Sequence, residues 1–142
     1  MSDSVLEQIR KNLISIISLV IAIMALSVNT WRTNISEDNR NLRQASFEMI
    51  KQLGQLQILV NHAHYDKNQE LGNPITGWGH VALIEDLSVL LPPPAPNNAQ
   101  DLKAIWKAQW EWLGKNNESE KAISDKIRQL RSTTKQIVIS LY

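Results

Sequence analysis

The chain has 142 residues, room for one domain, and its 15 Lys and Arg against 14 Asp and Glu leave a formal charge of +1, too weak a field to draw in nucleic acid. It contains no cysteine, which removes disulfide staples, thiolate nucleophiles and cysteine-ligated zinc or iron–sulfur centres together. Five Trp stand against a single Phe, a ratio that asks for an explanation in packing or at an interface.

Residues 1–11 read as a short polar tail that ends in Arg10 and Lys11. Residues 13–28 then carry no charge, and neutral Asn29 and Thr30 lead on to Trp31 before Arg32. At about 1.5 Å per residue, the roughly 20 residues between Lys11 and Arg32 span the hydrocarbon core of a bilayer. The Leu, Ile and Val of residues 13–28 together favour insertion by about 3–6 kcal/mol, and Ser15, Ser18 and Ser27 return only part of that. Residues 12–31 are therefore expected to form a single transmembrane helix. Trp31 falls at headgroup depth and Arg32 beyond it in water. A cleavable secretory signal competes with this reading through the small-x-small pattern Ala25-Leu26-Ser27. A buried soluble helix fits less well, because a segment apolar on every side needs protein all round it.

Within this segment Ser15, Ser18, Ala22, Ala25 and Asn29 recur at steps of three and four, which places them on one stripe. Small side chains let two helix backbones approach closely, so the stripe is expected to pack against a second helix, of the same chain or of a partner. The immediate flank, Arg10 and Lys11, favours an inside N-terminus, while Arg32, Arg40 and Arg43 oppose it. The resulting expectation is a single-pass protein, as of a bacterial inner membrane, with its C-terminal domain outside the cytoplasm.

From Ile35 through Asn39, Leu42, Ser46, Met49, Leu53, Leu56, Val60 and Ala63 the spacing of four and three predicts one face of a long, coiled-coil-like helix over about 33–66. With no proline before it, this helix should continue the membrane helix. Gly72-Asn73-Pro74 and Gly77-Trp78-Gly79 read as a loop. A helix over about 80–91 follows, with Val81, Leu83, Ile84, Leu87, Leu90 and Leu91 expected to give a broad buried face, and Pro92-Pro93-Pro94 ends it. Asn97 or Asn98 is expected to cap a helix over 98–113, in which Leu102, Ile105, Trp106, Trp110 and Leu113 face inward and Gly114 is the stop. The last helix, 118–141, starts near Asn117 or Ser119 and carries Ile123, Ile127, Leu130, Thr134, Ile137 and Leu141 on its stripe. The β-branched run at 136–141 resembles a strand, but it has no partner strand and keeps the helical phase. The fold class expected is all-α: a transmembrane helix leading into an antiparallel four-helix-bundle-like domain over 32–142.

Chemistry has few footholds. His62, His64 and Asp66, with His80 further on, are the one grouping in which a metal could be sought, yet residues two apart on a helix diverge. A polar helix end explains them as well. Glu85-Asp86 and the Glu118, Glu120, Asp125 group suit a solvated helix face better than acid–base catalysis. The glycines precede no phosphate-loop Lys or Ser in the required places. No catalytic, metal or cofactor site is expected. Trp106 and Trp110 suit the core, whereas Trp78, held between glycines, and Trp112, off the inward stripe, are the expected partner surface.

The function expected is that of a membrane-anchored, non-catalytic accessory subunit or scaffold, in contact with lipid and assembling with itself or another protein. The alternative is a ligand-sensing helical module that signals through a membrane partner.

Overall fold

A computed structural model describes residues 2–142, and every regular element among them is helical: α1 (Ser2–Lys11), α2 (Leu13–His64), α3 (Pro74–Ser88), α4 (Ala95–Gln109), a 3-10 turn (Trp110–Trp112) and α5 (Asn117–Ser140). The chain divides into two compact units, one ending at Asn39 and the other comprising Arg40–Tyr142.

In the first unit, the segment read as a polar tail is helical instead, apart from Met1, which lies outside the described residues. Arg10 and Lys11 occupy its last turn, where cations meet the helix carbonyl end favourably. Helical bonding runs on through Asn12, whose amide bonds Gln8 O and whose carbonyl accepts from Ile16 N, both at 3.0 Å. Beyond it, α2 contains the one helical stretch of the described residues that is long and apolar enough to cross a membrane, and none of that 18-residue window is buried. Ser18, Ser27 and Thr30 donate their hydroxyls to the carbonyls of Ile14, Ile23 and Leu26 at 2.8–2.9 Å. Each hydroxyl proton is thus satisfied within its own helix, which lowers the cost of placing it in an apolar medium.

The second unit has its own core, built from α2, α3, α4 and α5 around Met49, Leu53, Leu56, Ile84, Leu102, Trp106, Ile123 and Leu130. The four-and-three spacing on α2 places Ser46, Met49, Leu53, Leu56 and Val60 inward, and Gln52, Leu59 and His64 join them. Leu42 and Ala63 at its two ends are half-buried against the same core. Paired contacts fix the helix directions. Lys67 donates to the Gly114 carbonyl, Gln57 to Ser124 Oγ at 2.9 Å, and the Arg43 guanidinium stacks 4.7 Å from the Tyr142 ring. Numbers fall along α2 as they rise through α5, so these two helices run antiparallel. The pairs Gln109–Ser119, Asp101–Lys126 and Asn98–Thr133 show the same relation between α4 and α5.

Two helix starts differ from the spacing-based expectation. α3 begins at Pro74 rather than near His80, because Asn73 caps it by accepting from Ile75 N and Pro74 fits the first helical position. The Gly77-Trp78-Gly79 segment is therefore helical, not a loop. α4 begins at Ala95 rather than 98, with Pro94 at the N-cap position and Pro96 near its start. Asn98 does not cap it. It is buried, donating to Thr133 Oγ1 at 2.8 Å and accepting from Gln129 at 3.3 Å. The inward helix also stops sooner: the 3-10 turn replaces α-helix over Trp110–Trp112, and Leu113 is buried beyond it. The final helix starts where expected, at Asn117, with Asn116 accepting from Ser119 N.

Gly77 explains why a glycine belongs inside α3. A Cβ at that position would overlap the six-membered ring of Trp106, so its absence lets α3 lie directly on the largest core side chain. Gly79, two residues on, faces open space. Gly77→Ala is expected to cost about 1–3 kcal/mol through overpacking. Gly79→Ala should add about 0.5–1 kcal/mol by helix propensity. Urea unfolding of the two purified variants, followed by helical circular dichroism, checks the opposite signs; equal shifts would contradict this account of the contact.

Candidate functional site

The expected membrane-packing stripe lies wholly in the first unit. Ser15, Ser18, Ala22, Ala25 and Asn29 are all exposed on α2. Near its end the small side chains of Ala25 and Asn29 leave a shallow apolar groove bounded by Ile21, Met24, Val28 and Arg32. Ser18 spends its proton on Ile14 O, so across a helix contact it can only accept. Trp31 is 66% exposed and Arg32 is exposed beside it.

The two tryptophans assigned to a partner surface part company. Trp78 is half-buried and packs against the core from α3, because the segment around it is helical. Trp112 stays 53% exposed on the 3-10 turn, with the Lys115 ammonium 5.5 Å from its ring. Trp106 is fully buried as expected and Trp110 half-buried. Among the described residues the Trp106 indole N–H finds no hydrogen-bond partner.

Trp112 belongs to one end of the helical unit, where α2 finishes, α3 starts and the turn into α5 passes. A cleft of about 410 Å³ opens there, lined by Lys67, Asn68, Gly72, Pro74, Gly114 and Lys115 among others. Its walls are tight. Gly72 packs on the Ala63 backbone, and Gly114, at φ +84°, passes under the Ala63 carbonyl where no Cβ would fit. Lys67 itself adopts a left-handed conformation at φ 51°, which turns the chain out of α2 and brings its ammonium to the Gly114 carbonyl. Asn68 holds the loop by accepting from the amides of Glu70 and Leu71 at 3.0 and 2.9 Å. Among the described residues no carboxylate lines the cleft. Residue spacing contains no signal for this assembly beyond the isolated Gly72 and Gly114, because its members come from three separate stretches of chain.

The histidine grouping separates into three unrelated contacts. His62 Nδ1 lies 2.6 Å from Asp66 Oδ2, one turn away. His64 is buried edge-on to Tyr65, with ring centroids 4.8 Å apart. His80 Nδ1 lies 2.9 Å from Gln52 Oε1 on α2. Among the described residues no three His, Asp or Glu side chains converge as a metal-binding group.

Gln52, pinned by His80, passes its amide on to Glu48 Oε1 at 2.7 Å. That hydrogen bond holds the Glu48 carboxyl below its ordinary range, opposed next by desolvation and aided to a lesser degree by the charge and hydrogen bond of Lys51. A carboxyl lowered in the folded state stabilises at pH above its unfolded value, and the contribution is lost as pH falls through the folded value. Gln52→Leu should therefore raise the Glu48 titration midpoint and flatten the stability profile on the acid side; an unmoved carboxyl resonance in an NMR titration would refute this.

No family model matches the chain, and no curated protein or solved structure is similar to it.

Proposed function

We propose that the chain is a membrane-anchored, non-catalytic helical interaction protein, an accessory subunit or scaffold. Residues 13–28 cross the bilayer in this reading, and Arg40–Tyr142 forms an antiparallel four-helix bundle. The observation that carries it is the exposed apolar surface of α2: the Leu, Ile and Val of residues 13–28 are all exposed, while Arg40–Tyr142 closes a core of its own without them. Each such side chain left in water costs about 1.5–3 kcal/mol relative to burial, a penalty that lipid removes. The self-bonded hydroxyls of Ser18, Ser27 and Thr30 and the placement of Trp31 and Arg32 fit the same environment. Arg10 and Lys11 favour a cytoplasmic N-terminus.

Two surfaces are available for assembly. In the bilayer, the stripe of Ser15, Ser18, Ala22, Ala25 and Asn29 suits a second helix, from another copy or from a partner. In water, the exposed Trp112 carries the aromatic anchor that protein interfaces favour. A second reading, a ligand-sensing module that signals through a membrane partner, draws on the cleft beside Trp112, whose size suits a small molecule.

Carbonate-washed membranes should retain the chain in the pellet, and its release into the supernatant would end the membrane reading. Ala22→Leu is expected to weaken self-association or partner capture several-fold in a membrane reporter assay while leaving insertion unchanged. An undiminished signal removes the stripe. Thermal-shift screening separates the two readings, since a small ligand of the cleft raises the melting temperature by mass action whereas a scaffold responds to protein.

A further inference from the structure

The polar groups around the cleft at the end of α2 are unequal in kind: their acceptors are spent and their donors are not. Asn68 Oδ1 already accepts from the amides of Glu70 and Leu71, and its backbone carbonyl from Gly72 N at 2.9 Å. Asn73 Oδ1 accepts from Ile75 N, and its carbonyl from Gly77 N. The Gly114 carbonyl is taken by Lys67. Because a backbone N–H can donate only to oxygen, the orientation of both asparagine amides is fixed, and each presents its NH2 group as what is left over.

Two cations join these donors. Lys67 holds a positive φ of 51°, a conformation that favours glycine, and the turn carries its ammonium to Gly114 on the cleft wall. Two of the three ammonium protons remain for another acceptor. Lys115 also lines the cleft, with its ammonium 5.5 Å from the Trp112 ring. Among the described residues neither lysine is paired with a carboxylate. The acids nearest in sequence lie outside the lining: Asp66 is engaged by His62 at 2.6 Å, and Glu70, Glu111 and Glu118 are exposed and form no part of the wall. The first turn of α3, which starts at this wall, also carries no acid.

A lining of unspent donors and cations calls for a ligand rich in acceptors and negative charge. Lysine meets phosphate as a point charge, whereas the planar fork of arginine is what matches a carboxylate at two points, and among the described residues no arginine lines the cleft. A bare phosphate would leave much of the space empty. The cleft's volume of about 410 Å³ is that of a small-molecule site, and Ala63 and Leu113 give it an apolar side.

We propose that the cleft binds a phosphate monoester, its phosphate held by Lys67, Lys115 and the amide NH2 groups of Asn68 and Asn73, and its organic part lying against Ala63 and Leu113. The proposal rests on the reading of the cleft as a small-molecule site and names the class of ligand. It is independent of the membrane reading, since every residue it uses lies within Arg40–Tyr142.

The test titrates isotope-labelled, full-length protein in maltoside micelles with phenyl phosphate, benzoate and phenol, which share a ring and differ in the polar group. Phenyl phosphate should shift the amide resonances of Gly72 and Gly114 saturably and bind several-fold more tightly than benzoate, with phenol weakest. Lys67→Gly and Lys115→Gln should each weaken phenyl phosphate several-fold, while Lys135→Gln, on the exposed side of α5, should leave it unchanged. Glycine adopts the positive φ at 67 freely, so binding should fall without a fall in melting temperature; if that variant unfolds early, Lys115→Gln decides. Phosphatidic acid added to the same micelles tells the source, since stronger shifts than those of phenyl phosphate assign the site to a lipid headgroup and weaker ones to a soluble ester.

Benzoate or phenol binding at these amides as tightly as phenyl phosphate overturns the phosphate assignment and leaves the small-molecule reading of the cleft standing. Equal weakening by Lys135→Gln also overturns it, because a diffuse charge effect then accounts for the binding. No shift at Gly72 or Gly114 with any of the three probes removes both the assignment and the small-molecule reading.

Discussion

The constraint on which everything else depends is that residues 13–28 have no polar face. None of the 18-residue apolar window is buried, while the helical unit closes a core of its own. Met49, Leu53 and Leu56 on α2, Ile84 on α3, Leu102 and Trp106 on α4, and Ile123 and Leu130 on α5 satisfy one another. Within the run, Ser18 and Ser27 donate their hydroxyls to carbonyls of their own helix.

Within the helical unit, specificity comes from a few close approaches. The pairing of Gly77 with Trp106 sets how near α3 comes to α4, and Gly72 and Gly114 do the same against Ala63. Polar side chains between helices act at fixed points: Gln57 with Ser124, Gln52 with His80, and Asn98 with Thr133 and Gln129. A half-buried hydrogen bond is worth only about 1 kcal/mol net, but an unmade one costs more, so these pairs resist sliding of one helix along another. The ion pair of Lys103 with Glu85, at 2.6 Å and partly exposed, contributes less than about 1 kcal/mol. Its value lies in orientation between α3 and α4.

The unit is also two-ended in character. At the cleft end, glycines, capping asparagines and a left-handed lysine build a shaped surface with two ammonium groups and an exposed Trp112. At the other end, prolines and short turns leave Val89 and Leu90 outward. Neither surface uses the histidines. The chemistry most conspicuous in the one-letter string is dispersed among a helix end, a ring contact and an interhelical hydrogen bond.

Much of the helical content was legible from residue order, because periodicity and length are local properties. The uncharged run at 13–28 needs no partner to be recognised, and the four-and-three spacing of Ser46, Met49, Leu53, Leu56 and Val60 identified the buried face of α2. The last helix, expected from near Asn117 or Ser119, starts at Asn117. What the residue order by itself could not decide is which exceptions tertiary packing would impose. Gly77-Trp78-Gly79 has the composition of a loop, yet it continues the helix that Asn73 and Pro74 start, and the reason for a glycine at 77, the Trp106 ring above it, lies far along the chain. Asn98 has the chemistry of a cap but is held by Thr133 and Gln129 on another helix. The cleft beside Trp112 exists only once distant segments are brought together, so its members have no common spacing to betray them.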